Sequence, residues 1–153
     1  MFLFKPKKPE EEKKPEVSQA NIDLEIITNM NQEFALSLEL KETLNTALKV
    51  IIGRINAQAA NIFLINDHKK KFECIASINQ DYLDEYELDL TDGVMAKAVE
   101  QKKCIRVGNV RKDVREIAEF YFDLDNKTNF TTYSVLCSPL IVSDECIGVI
   151  PVS

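Results

Sequence analysis

At 153 residues the chain has the length of one domain, which at this size buries roughly two-thirds of the surface its unfolded chain exposes. Lys and Arg number 19 against 25 Asp and Glu, a net charge of -6, and no basic run interleaves with aromatics, so a nucleic-acid backbone is repelled. No run of 18 apolar residues exists to cross a membrane, and Met1–Phe4 is too short and too quickly followed by charge to be an export signal.

Residues 5–16 hold three prolines and otherwise only Lys and Glu. Such a stretch buries too little surface to offset its ordering entropy, so residues 1–17 are expected to form a disordered, solvated tail. From Ser18 helix signals begin. Ile22, Ile26, Met30 and Phe34 recur every four residues, which predicts a helix near 19–35. This 18–36 segment lies outside the compact domain, and its apolar stripe suits pairing with a second copy, a homodimer through the N-terminal helix. Leu40, Leu44, Leu48, Ile51 and Ile55 predict a second helix over 39–56, packed on the domain's own sheet, with a bend at 36–38 between the two.

Strands are expected at 60–65 and 72–78, joined by the polar turn Asn66–Lys70, with a short third strand at 86–90. Thr91, Asp92 and Gly93 open a helix over 94–101, where Thr91 or Asp92 serves the free amides of the first turn. A strand at 104–107 and a helix at 114–122 follow. An acidic loop bearing Asn and Thr then leads into two apolar runs, 133–142 and 146–152, connected by Ser143-Asp144-Glu145 as a hairpin. Hairpins mixed with helices indicate an α+β fold around an antiparallel sheet.

Three stretches carry a family likeness: LELKETLNTALKVIIGRINAQAANIFLIND, LDLTDGVMAKAVEQKKCIRVGNV and, most specifically, DNKTNFTTYSVLCSPL. Residues 38–153 resemble a GAF domain, closest to the cyclic-nucleotide-binding members found in phosphodiesterases and bacterial adenylyl cyclases, and truncated at the C-terminal end. The resemblance implies about six antiparallel strands with helices on both faces, and a pocket between the sheet and the helices after Gly93 and Asp113. It also implies the lining. Asn61 and Ser77 would supply polar groups from the floor, while Val94 and Met95 would bring backbone amides and apolar contacts. Tyr121 and Asp125 would line a lid spanning 121–132, in which Thr128 and Thr132 hydrogen-bond the ligand. Two departures stand out: Thr128-Asn129-Phe130 replaces the family's Thr-Gly-Phe, and Pro151, lacking an amide proton, is tolerated only at a sheet edge or strand end.

The function this implies is a small-molecule-sensing regulatory domain in cytoplasmic signalling, binding a cyclic purine nucleotide, cAMP or cGMP, with no other cofactor. The residue types suit such a ligand, which needs an apolar or aromatic slot for its base, a few directed polar groups, and helix-start amides for one phosphate. A module that only dimerises is the alternative. Catalysis is not expected. Some members of the family reduce free methionine sulfoxide, but Cys74, Cys137 and Cys146 fall in predicted strands, and Cys104 lacks a basic neighbour to make a thiolate. With no CxxC spacing and His68 as the only histidine, no metal site is expected either.

Overall fold

The computed structural model describes residues 19–80, 87–91, 93–113 and 115–153. The expected tail, and the individual expectations at Tyr86, Asp92 and Val114, lie outside the described residues. The chain falls into two units, residues 1–37 and Leu38–Ser153. In the first, the described residues are helical, with Leu24, Ile26, Ile27, Met30, Phe34 and Leu36 all more than half exposed.

The two helices expected to meet at 36–38 are continuous in secondary structure. A single helix, α1, runs from Gln19 to Ile55. Leu36, Ser37 and Leu38 include neither Gly nor Pro, so nothing there interrupts the i→i−4 ladder. α1 ends where the backbone of Asn56 turns left-handed (φ 54°) and the Ala57 amide reaches back to the Ile52 carbonyl at 3.2 Å, a Schellman closure.

The second unit is built on six strands, β1 (Ala60–Asn66), β2 (Lys71–Ile78), β3 (Glu87–Asp89), β4 (Ile105–Val107), β5 (Val135–Val142) and β6 (Glu145–Val152). They form one antiparallel sheet in the order β3-β2-β1-β6-β5-β4. Two further helices, α2 (Gly93–Gln101) and α3 (Arg115–Thr128), lie between strands in sequence. In the β1–β2 turn the Asn66 carboxamide oxygen accepts from the amides of His68 and Lys69, both at 3.1 Å. Ser143 and Asp144 both take positive φ (49° and 66°), the primed two-residue turn that matches strand twist.

Period-2 alternation divides the sheet into two cores. One face carries Phe63, Phe72, Val135, Cys137 and Val149, buried with Val94, Met95 and Ala98 of α2 and Ile117, Tyr121 and Leu124 of α3. Phe63 and Phe72 meet edge-to-face at 6.4 Å. The opposite face carries Ala60, Ile62, Ala76 and Val152 beneath Leu48, with Leu44, Ile51 and Ile52 of α1 beside it. Each large side chain so buried is worth about 1.5–3 kcal/mol. Gly148 has to be glycine, because a Cβ there would sit 2.2 Å from the Phe63 carbonyl oxygen. Pro151 occupies the penultimate position of β6, an interior strand, so of the two allowed placements it takes the strand end. The β1–β6 register skips from Ala60↔Val152 to Phe63↔Val149, which leaves Asn61 and Pro151 outside the ladder.

Candidate functional site

Between the sheet and α3 the residues expected to form a pocket separate into two clusters of different chemistry. The first is neutral and sits on the floor. Asn61 of β1 is buried, and its carboxamide NH2 donates to the side-chain oxygen of Gln80, itself buried. The Ser77 hydroxyl lies 2.8 Å from Asn61 Oδ1 and 3.0 Å from the Gln80 carbonyl. Asn79, with φ 62°, turns the chain just after β2 and so brings Gln80 inward.

Asn61 and Gln80 border a cavity walled by Phe63, Met95, Tyr121, Leu124, Val135 and Pro151. Its volume is about 10 Å³, room for about one water. The nucleotide-sized void implied behind Gly93 is therefore filled by side chains in this conformation. Gly93 itself takes positive φ (61°), the backbone state that only glycine adopts without strain. Val94, expected at the ligand, is fully buried in the core and does not line this cavity. Burial, then the proximity of Cys137 and Asp125, pushes the Tyr121 phenol far above its usual range, so it stays protonated.

The second cluster is ionic. The expected lid loop of 121–132 is instead helix as far as Thr128, so Tyr121, Asp125 and Thr128 all ride on α3. Ile117, Tyr121 and Leu124 repeat on its inner side, and their burial outweighs the weak helix propensity of Asp123, Asp125 and Asn126. Asn129 is indeed left-handed (φ 52°), as its replacement of glycine requires, but it closes a helix rather than turning a loop. The Thr128 hydroxyl donates to the Leu124 carbonyl one turn back, at 2.9 Å.

Asp125 accepts from the Thr132 amide at 2.8 Å and the Thr132 hydroxyl at 2.7 Å, and it pairs with the Arg111 guanidinium. Arg111 is itself placed by its amide bond to Asn109 Oδ1, 3.0 Å, and the neighbouring Val110 amide bonds the Tyr133 carbonyl at 2.8 Å. One carboxylate thus ties the β4–α3 loop, the end of α3 and the lead into β5 together. Asp125, Thr128 and Thr132 spend these polar groups inside the protein, not on the cavity.

Of the eight expected site residues, Asn61, Met95 and Tyr121 line the cavity, and Ser77 reaches it only through its bond to Asn61. Gln80 and Arg111 went unseen in the sequence. Gln80 follows a strand end as an ordinary turn residue would, and the partner of Arg111 is 14 positions away. A larger open groove of about 480 Å³ runs past Ile55, Gln58, Arg106, Gly108, Leu136 and Ser153, and no expected site residue lines it.

The four cysteines form no disulfide, and Cys104 is the exposed one. Cys137 is buried, and that burial, followed by Cys104 and Cys146, pushes its pKa up to about 12. Cys74 and Cys146 sit half-buried in strands within reach of carbonyls at positions 76 and 148. Among the described residues no group of His, Cys, Asp and Glu could hold a metal, and no helix is long and apolar enough to cross a membrane.

Neither a protein-family model nor a curated protein matches the chain. Solved structures do. The chain is similar to the GAF domain of a phosphoenolpyruvate-protein phosphotransferase from Coxiella burnetii, with 16% identity, 88% of this chain and 79% of that one covered, and a TM-score of 0.62. The corresponding domain from Acinetobacter gives 17%, 86% and 76%, and 0.60. The type II free methionine-R-sulfoxide reductase of Thermoplasma acidophilum gives 18%, 76% and 75%, and 0.58. At such identities the likeness shows the fold: α+β, with a helix followed by a six-stranded antiparallel sheet and its helices, the GAF fold.

Proposed function

We propose that residues 38–153 form a regulatory sensory module whose ligand site is the chamber under α3, and that a cyclic purine nucleotide, cAMP or cGMP, is the first ligand to try. One observation carries the reading. Asn61 and Gln80 are uncharged hydrogen-bonding groups at the edge of an apolar and aromatic chamber, and with the Ser77 hydroxyl they are bonded mainly to one another. Such groups exchange one neutral partner for another at small net cost, and a purine edge presents the same donors and acceptors. Admitting a base requires Met95, Tyr121 and Leu124 to move, so α3 shifts outward when the ligand binds. A ligand favours the open state only by its differential affinity for it.

Calorimetric titration of the full chain with cAMP, cGMP, adenosine and guanosine, alongside amide spectra, tests this. Heat with one of them, and shifts centred on Asn61, Ser77, Gln80 and Tyr121, is the expected result. Silence from all four ligands in both measurements overturns it.

A second reading is an interaction module that dimerises through its N-terminal helix, favoured by the exposed Leu24, Ile27, Met30 and Phe34. Phe34→Glu then abolishes self-association. Reductase chemistry has little support in these residues, because a catalytic thiol must ionise and the buried Cys137 resists doing so.

A further inference from the structure

Positive charge gathers at one edge of an otherwise acidic chain. Residues 101–112 hold five of its 19 cations, Lys102, Lys103, Arg106, Arg111 and Lys112, and none of its 25 acidic side chains. This segment is β4 with its two flanks. Two of the five cations are engaged within the protein, Arg111 with Asp125 and Lys102 with the Asp144 carbonyl. Lys103, Arg106 and Lys112 are exposed and make no ion pair among the described residues. Arg106 shares a face of the sheet with its register partner Leu136, and the groove of about 480 Å³ on that side is lined by no acidic side chain among the described residues. Clustered cations of this kind draw an anionic partner.

The backbone at the same place has an open side. β4 bonds β5 along one edge and has no described strand along the other. Every second residue of such a strand turns its N–H and C=O outward, where another strand can pair with them. Cys104, Arg106, Gly108 and Asn109 are all exposed there. Charge then selects the occupant. A second copy pairing edge to edge about Arg106 would set guanidinium beside guanidinium, the arrangement by which basic edges keep copies apart. A nucleic-acid strand would find three unpaired cations on a chain of net charge -6, and it brings no row of N–H groups for the outward carbonyls. An extended peptide supplies those N–H groups. If it alternates acidic and apolar residues, its carboxylates fall on the face of Arg106 and its apolar side chains on the face of half-buried Ile105.

We propose that the outer edge of β4 receives an extended acidic segment of a partner protein as an added strand, its carboxylates met by Lys103, Arg106 and Lys112. The proposal goes beyond the ligand reading and is tested without it. A short edge strand makes a small contact, so the complex is weak and loosens as salt rises.

Fluorescence anisotropy of the full chain with a short labelled peptide alternating Glu and Val tests it. The peptide should bind in low salt, and its counterpart alternating Lys and Val should not. Arg106→Glu should weaken binding about tenfold or more, and Lys103→Glu and Lys112→Glu several-fold each. All three positions are exposed, so folding is not at risk, and circular dichroism checks that. A Glu–Val peptide methylated on its backbone nitrogens keeps every charge but cannot donate to β4, so it should bind about tenfold less tightly or worse. No binding of the Glu–Val peptide overturns the proposal, as does binding indifferent to Arg106→Glu. Equal binding of the methylated peptide overturns it too, since charge alone would then suffice, and so does tighter binding of a single-stranded oligonucleotide.

Discussion

Two buried polar clusters lie close to α3, and they differ in how completely the protein uses them. Asp125 is charged, and each of its oxygens is met by Arg111 or Thr132 across three segments of chain. Asn61, Ser77 and Gln80 are neutral and lean on one another, and Asn61 and Gln80 border the small space beneath the helix. A buried charge with all its partners in place is costly to disturb and so fixes the architecture. Neutral amides can re-pair. The ionic cluster therefore reads as the fastening of α3, and the neutral one as the place where something can bind.

The largest expected effect would break the fastening. Asp125→Ala removes an acceptor from a guanidinium and from a buried amide and hydroxyl. It should cost about 3 kcal/mol, the low end for a broken buried pair because Arg111 stays 32% exposed, and lower the melting temperature by about 10 °C. Arg111→Ala leaves Asp125 its two bonds from Thr132 and should cost about 1 kcal/mol. Thermal melts measure both. Equal losses would mean that the guanidinium, not the carboxylate, organises the cluster.

How far is this division readable in the residues alone? The sheet is. Two apolar runs around Ser143-Asp144, and alternation in ANIFLI and FECIASI, specify hairpins whose turns form as their residue types demand. Asn61, Met95 and Tyr121 border one small cavity, with Ser77 bonded to Asn61 beside it. The roof is not readable. Asp123, Asp125, Asn126 and Thr128 carry loop-like composition, and only the packed row Ile117, Tyr121 and Leu124 makes them helical. Nor does the sequence show Arg111 meeting Asp125, since pairing across a loop and most of a helix leaves no periodic trace. The unbroken α1 escapes for the opposite reason: its apolar stripe changes sides at Ser37 while the helical hydrogen bonding continues.

A somewhat smaller effect sharpens the contrast on the neutral side. Asn61→Ala strands the Gln80 carboxamide and takes an acceptor from Ser77, at about 2 kcal/mol. Removing both amides together, as Asn61→Leu with Gln80→Leu, should recover most of that stability in chemical denaturation while abolishing nucleotide-induced shifts. A double variant as unstable as the sum of two single losses would show the amides to be structural, like Asp125.

Titration separates the clusters' surroundings further. Burial raises Cys137 from its ordinary value near 9 to about 12, and it raises the Tyr121 phenol above its ordinary value near 10 as well. In each case the unfolded chain gives up its proton first. The stabilisation is complete below pH 9 and declines as pH climbs toward 12, by about 1.4 kcal/mol per pH unit for the thiol alone. Urea melts from mildly to strongly alkaline pH should show this slope, and Cys137→Val should reduce it. A flat profile would mean that the α3 face of the sheet is wetter than its packing indicates.

The smallest effect belongs to a charged group whose partners lie in water. Lys69 reaches Glu73 at 2.8 Å and Glu87 at 2.7 Å, tying the β1–β2 turn to edge strand β3. The Lys69 hydrogen bond, then that from Asn66, holds the Glu73 carboxyl below its usual range. What stability this gives is present above the ordinary carboxylate pKa and is lost as pH falls through the lowered one. Because the side chains are 53%, 37% and 48% exposed, solvent screening should leave Lys69→Ala with a melting temperature indistinguishable from the parent. Faster hydrogen exchange at the β3 amides is the one change to expect. A marked loss of stability would mean that this corner is shielded from water, and that depth of burial, not charge, is what separates Asp125 from the rest.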